Sequence, residues 1–330
     1  MENKKNKKGK KETVCAVVVT YNRKKLLLEC LEAIRRQTRP VQGIYLIDNA
    51  STDGTPKLLF EKGYIKELPP ENLTEPWEKE FGIKNLTDGE VIKLHYVRMH
   101  ENTGGAGGFH EGVKKAYEKG YDWLWLMDDD TIPQETALQI LLETTTLNLG
   151  IKIGFIYSKV LWTDGSPHKM NLPKLKPLVN GLCFNLYEEY GILLISGCSF
   201  VSMLINRKVI QDVGLPIKEF FIWNDDVEYT SRIVSNGYVG VYNPKSIVVH
   251  KTNANLSSIE IVDPIRHFYN IRNSLYILKR KNRPMFILKF LYNLLIAWRL
   301  KKILIPAHIK GTLAAVFFSP KIEKFENEQK

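Results

Sequence analysis

The 330 residues are 44% hydrophobic and 25% charged, a globular composition that excludes a disordered chain, a collagen-like fibre and a disulfide-stapled miniprotein. The net charge of +11 sits at the ends: residues 264–322 hold twelve Lys or Arg and no acid, residues 1–12 carry +4, and residues 13–263 carry −4. A mildly acidic body with basic ends argues against a nucleic-acid binder. The four cysteines form no CxxC pair, so no zinc ribbon or thioredoxin-type site is expected.

The opening MENKKNKKGKK lacks an apolar core and reads as a solvated, disordered tail, not a secretory signal. VCAVVV (Val14 to Val19) is a β-branched run expected as a strand buried on both faces, ending in Thr20-Tyr21-Asn22. Leu27, Leu31 and Ile34 recur on one helical face. Gly43 to Ile47 is a second strand, ending at Asp48, and Ser51-Thr52-Asp53-Gly54 supplies turn chemistry before another helix. The order βαβα predicts an α/β fold with a mostly parallel central sheet. Residues 65–92, with Pro69, Pro70 and Pro76, are expected as a surface excursion.

A third strand is expected at Leu94 to Met99, then a Gly-rich turn at 104–108, a helix to about Lys119, and a fourth strand at Trp123 to Met127. Strands follow near 153–160 and 193–205, a helix after Asp226, and a strand near Ile247 to Val249. In an open α/β sheet the ligand lies at the carboxyl ends of the strands. Thr20–Asn22, Asp48–Asp53, Gly104–Gly108 and Asp128–Asp130 should therefore converge.

Asp128, Asp129 and Asp130 follow a hydrophobic strand. Alternate residues of an extended segment point the same way, so Asp128 and Asp130 can share a divalent ion while Asp129 points elsewhere; the alternative is that Asp130 or Thr131 caps the next helix. WNDDVE (Trp223 to Glu228) opens a helix, where Asp225 or Asp226 is either a cap or a general base, and Trp223 offers a face for a sugar ring. His250 is either a structural residue or a third metal ligand. Asn102 to Gly108 suits close backbone approach to phosphate or sugar, or is simply a flexible turn. It matches neither the dinucleotide fingerprint nor a Walker loop.

Six segments together resemble the family 2 glycosyltransferases, inverting enzymes of the GT-A fold: VVVTYNR at 17–23, LIDNASTDGT at 46–55, NTGGAGGFHEG at 102–112, WLMDDD at 125–130, WNDDVEY at 223–229 and IVVH at 247–250. They are in family order. The resemblance implies that Thr20, Tyr21 and Asp48 hold base and ribose. Asn22, Asn102, Gly104, Gly105 and Asp129 complete the nucleotide-sugar site. Asp128, Asp130 and His250 bind Mn²⁺ or Mg²⁺. Asp226 is the base and Asp225 its acidic neighbour, or the reverse, with Trp223 and Gly107 on the acceptor side. The Gly-rich turn and the Trp-Asp cluster are most similar to the galactofuranosyltransferase and rhamnosyltransferase branch, although Asn224 separates the Trp from the Asp pair.

The resemblance implies transfer of galactofuranose or rhamnose from a UDP- or dTDP-linked donor to a polyprenyl-linked or polysaccharide acceptor in cell-surface glycan synthesis. A nucleotidyltransferase and a non-catalytic nucleotide-sugar-binding subunit are the alternatives. The division expected is a tail (1–12), a catalytic domain (13–263) and a basic-aromatic helical extension (264–330). No run of ~18 uncharged apolar residues is present, so cytoplasmic residence is expected, peripheral on the inner face of the cell membrane. The extension either packs on the core or lies on an anionic leaflet.

Overall fold

The computed structural model describes residues 12–257, 260 and 262–325, so the Lys-rich tail lies outside the described residues apart from Glu12. In chain order the elements are β1 (Val14–Thr20), α1 (Lys24–Arg35), β2 (Gly43–Asp48), α2 (Thr55–Glu61), β3 (Trp77–Lys84), β4 (Val91–Arg98), α3 (Gly104–Glu118), β5 (Trp123–Asp128), β6 (Thr131–Pro133), α4 (Ala137–Thr145) and β7 (Ile153–Leu161). The two-residue strands β8 (Leu178–Val179) and β9 (Leu182–Cys183) make a separate hairpin. There follow β10 (Leu193–Ile195), β11 (Met203–Asn206), α5 (Arg207–Val213), α6 (Asp225–Ser235), β12 (Val239–His250), α7 (Pro264–Lys281), α8 (Arg283–Ile296) and α9 (Ile305–Phe317).

The central sheet runs β10-β12-β7-β11-β5-β1-β2-β4-β3, with β6 added to β12. Its nucleus β5-β1-β2-β4 is parallel; β1 is buried along its whole length, as a doubly covered strand of this composition should be. Beyond β5 the sheet is mixed: β11 is antiparallel to both β5 and β7, and β12 is parallel to β7. Two reversals restore the direction of β5, so His250 at the end of β12 arrives at the same sheet edge as Asp128.

Three expectations are corrected. Residues 77–84 are not part of an excursion but the antiparallel edge strand β3. Phe81 and Ile83 are buried while Glu78, Lys79 and Glu80 face out, and charges on an edge strand blunt unwanted pairing. Their density, between prolines, hid the strand. The span 193–205 is two strands, β10 and β11, which pair with different neighbours. Neither Asp130 nor Thr131 caps a helix: Thr131 opens β6, against His250, and α4 begins at Ala137.

Two of the C-terminal helices, α7 and α8, are capped as their sequence dictates. Asp263 accepts from the Arg266 N–H at 2.9 Å ahead of Pro264, and Asn282 accepts from Met285 N–H at 3.0 Å ahead of Pro284, each a side-chain cap with Pro in the first turn. The chain then returns to the body. Leu215 N–H donates to Glu323 O at 2.9 Å, the Glu323 carboxylate meets Lys114 Nζ at 2.7 Å, and the Phe325 ring stacks on Tyr117 at 3.7 Å.

Candidate active site

A cleft of about 440 Å³ opens at the carboxyl edge of the sheet, lined by Asp128, Asp130, His250, Trp223, Asp225 and Asp226 among others. It therefore brings together the expected metal ligands, the expected base pair and one of the two expected acceptor residues. Gly105 is also on its wall.

Asp130 is 1% exposed and lies between Arg23 and His250: Arg23 Nη1 is 2.5 Å from Oδ2 and His250 Nε2 is 2.9 Å from Oδ1. Oδ1 makes no hydrogen bond. Asn171 Oδ1 accepts from His250 Nδ1 at 2.8 Å and thereby presents Nε2 to the carboxylates, the usual way a ligating histidine is oriented. One ligand atom each from Asp128, Asp130 and His250 lie within 4.8 Å of one another. A buried orphan oxygen beside a second carboxylate and an oriented imidazole is a donor set that fits a divalent cation.

The electrostatics of the cleft match that fit. Burial, then the neighbouring Asp130, pushes Asp128 up to about 6. Burial opposes ionisation of Asp130, yet His250 and Arg23 together hold it below the ordinary carboxylate range. Burial and then Asp226 raise Asp225 well above that range. Asp226 is also raised by burial, with Lys174 opposing. Four carboxylates in one partly dry cleft repel one another, and a positive ligand relieves the repulsion.

The nucleotide-side residues are placed differently. Thr20, Asp48, Asp129, Gly104 and Gly107 are all buried. Thr20 Oγ1 donates to Asp129 Oδ2 at 2.6 Å, which turns Asp129 away from the cleft; burial, offset by Arg23, raises it to about 7. Asp48 accepts from the Tyr96 hydroxyl and Arg98 Nη1, each at 2.8 Å, and from Ser51 N–H at 2.8 Å. Asn22, in the left-handed region at φ 55°, accepts from Thr52 N–H at 2.6 Å and stitches the β1 loop to the β2 loop. The Tyr21 side is open, at 43% exposure. Asn102 is exposed and accepts from the Gly104 N–H at 2.9 Å.

The glycines of 104–112 are not a free turn; they begin α3 and serve close packing. A Cβ on Gly104 would sit 2.0 Å from Phe221 O, and Gly104 has φ +71°. On Gly107 it would strike Thr103, on Gly108 Val19, and on Gly112 Val17. Only Gly105 of the expected site glycines faces open space. The partner of Gly104 is the loop that carries Trp223, where Phe221, Trp223 and Asn224 all have positive φ. Such backbone persists only where surroundings hold it. Here α7 holds it: Asn273, fully buried, donates from Nδ2 to the carbonyls of Phe220, Ile222 and Trp223 at 3.0, 3.2 and 2.8 Å, and Asn224 Nδ2 donates to Asn270 Oδ1 at 2.8 Å.

Several residues of the site escaped the sequence. Arg23 stood inside the VVVTYNR segment and was the one legible signal. Asn171, Lys174, Arg266 and Asn270 reach the cleft from loops and a helix with no motif to mark them.

Comparison with known proteins agrees with this geometry. The family model described as glycosyl transferase family 2 matches residues 15–66, and the one described as glycosyltransferase like family 2 matches residues 87–262. The galactofuranosyltransferase GlfT1 of Mycolicibacterium smegmatis is 28% identical over 233 residues, covering 68% of this chain and 67% of the relative. The dTDP-rhamnosyl transferase RfbF of Shigella flexneri is 23% identical over 205 residues, covering 60% of this chain and 67% of the relative. A solved structure of GalNAc-T7 with UDP, GalNAc and Mn²⁺ superposes with a TM-score of 0.57 at 16% identity; the match covers 81% of this chain but 48% of that one, so the chain spans about half its length. With the second family model alone spanning more than half of its residues, the chain belongs to the family 2 glycosyltransferases, enzymes built on the GT-A fold.

Proposed function

We propose that the chain is an inverting, divalent-metal-dependent hexosyltransferase that moves galactofuranose or rhamnose from a UDP- or dTDP-linked donor to a lipid-linked glycan acceptor. The observation that carries this reading is the meeting of two separate acidic pairs, Asp128/Asp130 and Asp225/Asp226, in one cleft with His250. The sugar preference comes from the relatives.

Asp128, Asp130 and His250 would hold Mn²⁺ or Mg²⁺. Bound there, the ion offsets negative charge on the departing nucleoside diphosphate. The chain's own groups do the rest. Asp226 Oδ1 accepts from Val227 N–H at 2.6 Å, which fixes the carboxylate and leaves Oδ2 to take the proton of the acceptor hydroxyl. As the hydroxyl proton passes to Asp226, the acceptor oxygen bonds to the anomeric carbon on the face opposite the leaving diphosphate, whose bond to that carbon breaks, inverting the configuration. Trp223 gives the acceptor ring an apolar wall. Arg23 holds Asp130 in its ionised form, and Tyr21, Asn102 and Gly105 are the open contacts on the donor side. Thr20, Asn22, Asp48, Asp129 and Gly104 shape that side from beneath, and Gly107, the second expected acceptor residue, packs on Thr103 with no open contact to the acceptor.

The test is turnover with a panel of UDP- and dTDP-sugars, with Mn²⁺, Mg²⁺ or EDTA. Transfer with UDP-galactofuranose or dTDP-rhamnose that stops in EDTA is expected; EDTA-resistant transfer rejects the metal role. Asp226→Asn should lower kcat by about 10²–10⁴-fold, the range of general-base losses, with nucleotide affinity retained. Full turnover by that variant discards the base assignment.

For the acceptor, we infer a membrane surface. No helix among the described residues is long and apolar enough to cross a membrane. Yet α8 and the segment after it leave Leu295 and Trp298 71% and 72% exposed, and Phe317 at the end of α9 is 89% exposed. Arg283, Lys289, Arg299, Lys301, Lys302 and Lys310 lie among them, with no acid in the whole segment. Apolar side chains framed by cations suit an anionic leaflet.

A further inference from the structure

The loop that follows β7, residues 162–171, grips the chain as it leaves His250. Trp162 Nε1–H donates to Thr252 O at 2.9 Å. Asn255 Oδ1 accepts from Lys169 N–H at 2.8 Å, and Asn255 Nδ2 donates to Ser166 Oγ and Pro167 O, each at 3.1 Å. Residues 252–255 are thereby tied to the loop, and the strand end that carries His250 is tied with them.

The same loop meets the His250 side chain twice, from either end of the short turn Lys169–Asn171. Asn171 takes the edge of the ring, accepting from Nδ1 at 2.8 Å. Its amide is held that way round because Nδ2 donates to Ser199 Oγ at 2.8 Å. His168 takes the face: the two ring centroids are 4.6 Å apart, with the planes at 35°.

His168 is 0% exposed and is itself fixed. Its N–H donates to Val160 O at 3.0 Å, and its carbonyl accepts from Asn171 N–H at 3.0 Å. Its Nε2 lies 2.9 Å from Thr252 Oγ1. The Thr252 hydroxyl spends its own proton on Ala254 O at 3.0 Å, so it accepts from His168, whose proton is therefore on Nε2. Nδ1 has no partner, and the bond to Thr252 alone sets which way the ring is turned. A hydrogen bond at Nδ1 of His250 fixes one edge of that imidazole but lets it rock about the bond, sweeping Nε2 away from the carboxylates. A ring against its face stops the rocking, as outer partners of a ligating histidine do.

We propose that His168 is a positioning residue for the metal site: packed on the face of His250 and anchored to Thr252, it completes with Asn171 a clamp that holds Nε2 toward Asp128 and Asp130. This rests on the reading that Asp128, Asp130 and His250 bind a divalent cation, and it extends the site to a residue with no exposed surface.

Mn²⁺ alone, titrated into the full chain and followed by loss of the free-ion EPR signal, reads affinity and number of sites without turnover. His168→Ala is expected to weaken Mn²⁺ binding by about 10–100-fold, the usual loss on removing a group that orients a ligand, with the number of sites unchanged. His168→Phe, which keeps a flat ring on His250, should recover most of the lost affinity. His168→Leu fills the space without a flat face and should lose affinity in the same direction, which keeps the test open if the alanine variant does not fold. Damage to the fold would instead remove sites and leave the affinity of the remaining ones as it was. Unchanged affinity in the alanine and leucine variants, an equal loss in His168→Phe, or fewer sites at unchanged affinity each overturns the positioning role. No Mn²⁺ uptake by the unaltered chain rejects the metal reading itself, and the role of His168 with it, before any substitution is made.

Discussion

At the scale of single residues the cleft is decided by which polar atoms are spent and which are left over. Asp129 is spent on Thr20 and Arg23, and Asp48 on Tyr96 and Arg98, whereas Asp130 Oδ1 is left over. The raised pKa of Asp226 has a kinetic consequence. A base is inactive when protonated, so activity is lost as pH falls through that pKa, and a raised value moves the loss to higher pH. The acid limb of kcat/KM should therefore lie above the ordinary Asp range near 3.9; a limb at or below it is the contrary result. Gly104→Ala places a methyl group on Phe221 O at positive φ and should cost about 1–3 kcal/mol, read as a lower melting temperature, with a fall in kcat as the Trp223 loop shifts. An unperturbed melt would show that the contact relaxes freely. Of these residues, the acids and His250 were legible because strand ends after apolar runs are conspicuous. Asn171 and Lys174 were not, because a lone polar residue in a loop carries no periodicity.

At the scale of elements, α7 is the wall that the Trp223 loop leans on. Three carbonyls of residues 220–223 converge on one buried amide, Asn273, and the Phe221 ring stacks on Tyr269 at 4.9 Å. Asn273→Ala would take their donor from the Ile222 and Trp223 carbonyls in a dry place, while Phe220 O keeps the Ile222 N–H at 2.7 Å, at a cost of about 1–3 kcal/mol. It should lower kcat through the Trp223 loop while nucleotide binding, on the other side of the cleft, changes little; equal losses in both would point to general unfolding. Removing residues 264–330 should likewise abolish transfer, since Arg266 and Asn270 line the cleft. The boundary expected at 263/264 followed a change in composition. Composition reports what faces solvent, and α7 shows a basic face to solvent while its Asn273 and Tyr276 point inward. The edge strand β3 was hidden for a related reason: its outward charges outweighed a short inward alternation of Phe81 and Ile83.

At the scale of the molecule, the charge is divided between an acidic body and a basic, partly apolar C-terminal layer, and the cleft lies where they meet. Flotation with liposomes checks the membrane reading: the protein should rise with vesicles containing anionic lipid and stay below with neutral ones, the more so at low salt. Leu295→Ser/Trp298→Ser/Phe317→Ser should abolish flotation while leaving the melting temperature within a few degrees, because these side chains are already in water. Flotation indifferent to lipid charge discards the reading.

The sequence by itself determined the α/β nucleus, the family and the strand-end carboxylates, since these rest on local patterns: β-branched runs, caps, and acids placed directly after apolar strands. Only the tertiary structure decided which of those residues share the cleft. Direction in a mixed sheet depends on pairings between distant strands, and two reversals through β11 and β7 carry His250 to Asp130. The C-terminal helices become part of the site through contacts such as Asn273 with residues 220–223, which are long-range in sequence and leave no periodic trace in it.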